Sequence, residues 1–352
     1  MRRFVILWLA TWTCAATAQN RDVVYFLERS SQSERVAAVE GSIVEDSVNG
    51  VRIKPTTGPE KTIRATEIVD VAYTIPRNLE TKFQTIVLAE SAVRQGTADR
   101  ARLEQLIKDY GTVLEQLRDP KLGTLRRHVN YRLAVLKAQL AEKSDELSEA
   151  AANLGKLRTE SLENWHLVPA VLLQAQLLVE LGRIDDAANV LDSLSRTPKL
   201  IPEIKREIRL QVMDLLLRSQ QPREVEGRAT DELAELPADH PLVPVLKLYQ
   251  LAAQNWRSDV NQTASRLKEI IAQAENLDLK AIGYNLLGHL YSSKERWDDA
   301  MWSYLWVDVV YNQDRREQLK AIERLAKVFA ELKDETRAEK YRERLRSNRL
   351  GG

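Results

Sequence analysis

Cysteine is almost absent from this 352-residue chain: the single one is Cys14, close to the N-terminus. Glycine (13) and proline (11) are scarce as well, below the usual ~7 % and ~5 %, so few breakers interrupt the chain and long helices are favoured over a many-turned β fold. An excess of either charge is missing, with 52 Lys+Arg against 51 Asp+Glu. That balance argues against the basic surface that general nucleic-acid binding requires. Long hydrophobic runs are missing too: the longest, at the N-terminus, is about a dozen residues, short of the ~20 that cross a bilayer. What remains is 44 % hydrophobic and 29 % charged, a soluble globular composition in a chain long enough for two or three domains.

Residues 1–18 run from Arg2 and Arg3 through Phe4-Val5-Ile6-Leu7-Trp8-Leu9-Ala10 to Ala16-Thr17-Ala18. This is the charged, apolar and small-residue order of a secretory signal peptide, with cleavage after Ala18 leaving Gln19 first. The expected location is therefore an exported one, periplasmic or secreted, in a bacterial cell envelope, with no integral membrane span after the signal is removed. Trp12 stands where a lipoprotein signal has a small or aliphatic residue, so lipid attachment at Cys14 is not expected. The mature chain would hold no thiol, which excludes disulfides, thiolate metal sites and cysteine nucleophiles.

Residues 19–77 read as a small β module. Val69, Val71, Tyr73 and Ile75 alternate along a strand with one buried and one wet face. Upstream, 41–46 and 51–54 flank Asn49-Gly50, a pair that accepts the positive φ of a tight hairpin. Gly58-Pro59 marks a second turn, 62–64 a short strand, and Ala65-Thr66-Glu67 the turn into the last strand. So few short strands cover an apolar face best as a bent, partly closed barrel. The order resembles the Sm-like and SH3-like small barrels, which implies a module for RNA or peptides. The paired aromatic and basic residues of an RNA platform are missing, and a packing or docking role is expected.

From Leu79 onward the period becomes that of amphipathic helices. Leu167 to Leu181 forms one, stopped by Gly182; Ile184, Ala187, Ala188, Leu191 and Leu194 line the next, closed by Pro198. So short a connection forces the two to pack antiparallel. The unit recurs at Tyr284, Leu287, Gly288, Tyr291, Trp297, Ala300, Tyr304 and Val307, which resembles the tetratricopeptide repeat, with Gly288 and Ala300 where its two helices approach most closely. Ile322, Leu325, Ala326, Phe329, Ala338 and Leu345 form another copy, with Arg342 in place of the second aromatic. The interval from Ala300 to Ala338 is one step of the repeat, and that from Ala187 to Ala300 equals three such steps to within a residue. Hairpins are thus expected at 202–235 and 241–275, and degenerate ones at 79–117 and 121–157. The expected fold is mainly α, a tetratricopeptide-like helical-hairpin solenoid preceded by the β-barrel module. Its divisions are signal 1–18, β module 19–77, degenerate hairpins 78–160, repeat array 161–347 and tail 348–352.

Catalytic constellations are not found. His128, His166, His240 and His289 are scattered without a zinc-motif partner, and there is no glycine-rich phosphate loop or Gly-x-Ser-x-Gly elbow. Asp185-Asp186 and Asp298-Asp299 sit where helices begin, where they offset the positive helix end. No enzyme activity, cofactor or metal is expected. Trp297, Trp302, Tyr304, Trp306 and Tyr311 crowd one hairpin, with Trp302 and Trp306 on one helix face; they pack against the next repeat or anchor a partner. The repeat resemblance implies a concave groove, lined by Asn285, His289, Ser292, Glu323 and Lys327. The reading is an exported, non-catalytic scaffold holding a peptide or partner protein there, with no nucleic acid. The alternative is a structural accessory subunit of a cell-envelope assembly that recognises its partner through the small barrel.

Overall fold

The computed structural model describes residues 21–29, 34–94, 97–160, 163–254 and 259–350; residues 1–18, where a signal peptide is expected, lie outside them. Five strands, β1 (Asp22–Arg29), β2 (Glu34–Ser47), β3 (Gly50–Pro55), β4 (Lys61–Arg64) and β5 (Ile68–Ala72), form one antiparallel sheet in the order β4-β3-β2-β1-β5. The 14-residue β2 pairs with β1 through its first half and with β3 through its second, and its register shifts between Ile43 and Glu45. At the crossover stands Gly41, where a Cβ would lie 2.1 Å from the Lys54 carbonyl oxygen. The Asn49-Gly50 hairpin forms as read, with Gly50 at φ 139°. The last strand differs from expectation. It ends at Ala72, and Asp70 and Val71, on opposite faces, are both buried, because helix side chains cover the face that simple alternation leaves wet.

Fourteen helices follow among the described residues, paired as α1 (Glu80–Arg94) with α2 (Arg100–Leu114), α3 (Gly123–Leu140) with α4 (Ser144–Glu160), α5 (Leu167–Glu180) with α6 (Ile184–Ser195), and α7 (Pro202–Arg218) with α8 (Pro222–Glu235). Then come α9 (Val243–Ala253) with α10 (Val260–Gln273), α11 (Leu277–Ser292) with α12 (Trp297–Leu305), and α13 (Arg315–Glu331) with α14 (Glu335–Leu350). The order is that of a tetratricopeptide-like solenoid. Starts are set by side chains that satisfy orphan amides, as Asn276 and Asp314 do, or by Pro202 and Pro222 in a first turn.

The repeat is written in the backbone. Gly182, Gln220, Glu295 and Lys333 all have φ between 58° and 75°, and one, two and one repeat steps separate them in turn. Each ends the first helix of a hairpin, and the next amide donates five residues back, as Arg183 to Leu178, Gln221 to Leu216, Arg296 to Tyr291 and Asp334 to Phe329 do at 2.8–3.0 Å. This left-handed helix stop recurs with the same period as the small residues. Ala187, Ala300 and Ala338 are fully buried, and a Cβ on Gly288 would stand 2.5 Å from the Tyr304 ring. Arg342 is indeed no aromatic substitute: the neighbouring Tyr341 stacks on Phe329 at 5.4 Å, and Arg342 turns to Glu335 and Glu339.

One continuous core runs from the inner face of the sheet through α3 to α14; α1, α2 and the other side of α3 enclose a second. Consecutive odd helices from α7 to α13 touch one another in a row, and α14 comes back to touch α3. The sheet sits at the N-terminal ends of odd helices. Asn49 bonds the backbone of Lys199 and Ile201 ahead of α7, Arg316 at the start of α13 donates to the Thr66 carbonyl, and Glu207 of α7 receives both Arg64 and Arg316.

Candidate interaction surface

The face expected to be an open groove is internal. Arg324 of α13 meets both carboxylate oxygens of Asp214 of α7 at 2.7 and 2.6 Å, and Arg218 of α7 meets Glu323 of α13 at 2.9 and 2.6 Å. The array therefore curls tightly enough for two helices three hairpins apart to join through charged side chains. Burial by itself would raise the Asp214 carboxyl, but the cations of Arg324, Lys320 and Arg218 outweigh it and hold the group well below the usual carboxylate range.

Each of the five residues expected in the groove has a definite place. Asn285 is 1 % exposed and donates to the Glu317 carbonyl and carboxylate at 3.0 and 2.8 Å, so it serves the α11–α13 contact and is not on a free surface. Glu323 is occupied by Arg218. His289 is half-buried on α11; burial pushes its imidazole down to about 4, and the Arg324 cation adds to that. The Ser292 hydroxyl stands 3.5 Å from the Tyr304 hydroxyl. Only Lys327 of the five is exposed. The structure thus gathers Asn285 and Glu323 into the internal charge network instead of around a ligand-sized groove. The reason is closure: α7 fills the space that a wider superhelix leaves empty.

The aromatic cluster divides. Tyr304 is 1 % exposed and packs against Gly288, whereas Trp302 is 63 % exposed. Trp306 is 44 % exposed and stacks on Tyr284 and Tyr311 at 5.8 and 6.1 Å, while those two tyrosines stack on each other at 5.4 Å. Val309 and Val310 are exposed as well. Spaced four, seven and eight residues after Trp302, Trp306, Val309 and Val310 continue one stripe along the outer side of the hairpin.

A wide helical turn over Trp306–Val310, closed by the Tyr311 amide on the Trp306 carbonyl at 2.9 Å, extends α12. It aims Asp308 inward to Arg344 of α14 at 2.7 and 2.6 Å and to the Tyr341 hydroxyl at 3.0 Å. Burial works to raise that carboxyl, and the Arg344 bonds override it and keep it low. The turn is therefore anchored from behind while its apolar side faces out. Such single wide turns recur at functional positions. Helical spacing from Trp302 was the signal by which Val309 and Val310 could have been found.

A second pair of residues is not apparent from the sequence. His128 and His166, scattered in the sequence, have ring nitrogens 3.2 Å apart. Their separation along the chain equals the repeat step, so the periodicity that set the hairpins also places these rings in adjacent ones. Among the described residues no group of three or more His, Cys, Asp or Glu is arranged to hold a metal ion, and no helix is long and apolar enough to cross a membrane.

No protein-family model matches the chain, and no curated protein matches it. Among solved structures, a tetratricopeptide repeat protein from Parabacteroides merdae is similar over 78 % of this chain and 94 % of its own, at 13 % identity and a TM-score of 0.43. BtubC from P. vanneervenii is similar over 76 % of this chain and 90 % of its own, at 15 % identity and a TM-score of 0.27. The assembly chaperone of RpL4, Acl4, is similar over 77 % and 94 %, at 15 % identity and a TM-score of 0.28.

Proposed function

We propose that the chain is an exported, non-catalytic scaffold that binds a partner protein through the outer stripe of Trp302, Trp306, Val309 and Val310. The observation that carries this reading is the exposure of two tryptophans and two valines on one helical face whose back is fixed by Asp308. Trp is the side chain most enriched among residues that dominate binding energy. With aromatic side chains of 150–250 Å² each, the exposed apolar stripe comes to roughly 400 Å². That is about half of the ~800 Å² that each side of a standard interface buries. It suits the apolar face of a partner's helix or short segment better than a second copy of this chain.

The test is selection of displayed random peptides against the purified chain. Binders with spaced apolar anchors are expected, and Trp302→Ser should weaken them about thirtyfold or more, the effect of a residue worth ~2 kcal/mol. Binders indifferent to that substitution contradict the reading. Export rests on the order of residues in 1–18; the N-terminus of the protein recovered from a periplasmic fraction should begin at Gln19, and retention of the intact leader in the cytoplasm contradicts it. The sheet is read as a small barrel of the Sm-like or SH3-like kind. This is supported by the strand order and by a long β2 shared between two neighbours.

A further inference from the structure

Between the sheet and the helices lies a buried chain of titratable groups. His128 of α3 and His166, the residue before α5, are 6 % and 1 % exposed. Nδ1 of His166 faces Oδ1 of Asn164 at 3.0 Å, Nε2 of His166 faces Nδ1 of His128 at 3.2 Å, and Nε2 of His128 faces Oδ1 of Asp70 on β5 at 3.7 Å. Trp165 stacks on His166 with ring centres 4.1 Å apart. Its indole donates to the Tyr73 hydroxyl at 2.9 Å, and its backbone amide to Asp46 of β2 at 3.1 Å. The α4–α5 connection is thereby fastened to the sheet on both sides of the histidines.

The protons can be assigned from the partners. An amide oxygen only accepts, so His166 carries its proton on Nδ1 and presents a lone pair at Nε2. That lone pair accepts from Nδ1–H of His128, whose other nitrogen points at the Asp70 carboxylate. A first proton added to this arrangement goes to Nε2 of His128, which faces Asp70 at 3.7 Å. A second proton has to go to Nε2 of His166, where it removes the acceptor and sets two cations 3.2 Å apart.

The neighbouring charged groups add to that repulsion or are paired with other partners, and Arg132 acts on Asp70 as well as on its own partner. Arg127 on α3 adds positive charge near His166. Arg132 on α3 is matched by Glu90 of α1 at 2.9 and 2.5 Å, and the Tyr110 hydroxyl of α2 also donates to Glu90. Tyr131 contributes a ring 4.9 Å from His166. Asp46 is engaged by Trp165 and Tyr73, and burial raises its carboxyl.

We propose that His128 and His166 form a pH-sensitive latch between the β-sheet and the helical array, opened when the second imidazole takes up a proton. Burial, with His128 next, already holds His166 well below the ordinary imidazole value. A depressed imidazole means that the open state binds the proton more readily. The closed contact keeps its full stability above about pH 6.5 and loses it tenfold per pH unit below, until the closed-state value is reached. Asp46, raised, acts with the opposite sign and only nearer the carboxylate range.

The experiment is amide hydrogen exchange of the full chain between about pH 7.5 and 5.2, expressed as protection relative to intrinsic rates. Protection of the β5 amides should fall about tenfold per unit below pH 6.5 while that of α8, which carries no histidine, holds, and His166→Gln should abolish the fall. Constant β5 protection in the wild type, or an unchanged fall in a folded His166→Gln variant, overturns the latch. Should that variant not fold, imidazole proton resonances of the wild type decide. One ring titrating with the other neutral down to the pH at which β5 loosens supports it; both titrating near pH 6.5 with β5 protected overturns it.

Discussion

Arg324 and Asp214 stand 110 residues apart in the chain and 2.6 Å apart in space, both buried, and close the inside of the array. A buried pair of this kind is costly to break and cheap to replace, because removing one partner strands a desolvated charge. Arg324→Met alone should destabilise the chain by about 3–5 kcal/mol in denaturant unfolding, and the Asp214→Leu/Arg324→Met double variant by much less. Additive losses in that cycle contradict this closure. Asp214 is depressed, so its contribution is complete above the ordinary carboxylate value of about 4 and falls away only as pH drops below it.

The approach of Gly288 to Tyr304 predicts a second outcome. Gly288→Ala places a methyl group 2.5 Å from a ring that is itself immobilised in the core, and overpacking of this kind costs about 1–3 kcal/mol. Gly111→Ala on α2, where a Cβ meets nothing within 4 Å, should instead stabilise by up to about 1 kcal/mol through helix propensity. Thermal midpoints that move the same way for both contradict the assigned roles.

Lys333 occupies a left-handed conformation on an exposed turn, at φ 61°. Lys333→Gly should raise stability by about 0.5–1 kcal/mol, because the Cβ penalty disappears. Gly182→Ala, at φ 75°, should lower it by a similar amount. The sign of each change is read from unfolding midpoints.

The helices were legible because each needs only local information. Apolar residues recur at helical spacing from Leu79 to Leu345, and breakers such as Gly182, Pro198, Pro202 and Pro222 fall at their ends. The Asn49-Gly50 hairpin was legible for the same local reason. Strand β1 was not, since Val23 to Leu27 is apolar without alternation. The buried Asp70 could not be expected while His128, on a helix beyond the next hairpin, was unplaced. The inner face misled for a related reason. Asn285 and Glu323 sit where the repeat pattern points inward, but whether inward means toward a groove depends on how tightly the array curls. That curl is fixed by pairs such as Arg218 with Glu323, 105 residues apart, which no local pattern encodes. Trp302 and Trp306 carried their signal in spacing alone, and exposure was the missing fact.

Binding is proposed to belong to the outer stripe and not to the inner row. Its most direct measurement compares the affinity of one selected peptide for the wild type, for Trp302→Ser/Trp306→Ser and for His289→Gln/Lys327→Ser, each checked for an unchanged helical signal. A loss of about a hundredfold or more is expected for the outer pair and no change for the inner pair. An unaltered affinity in the outer variant with a loss in the inner one contradicts it.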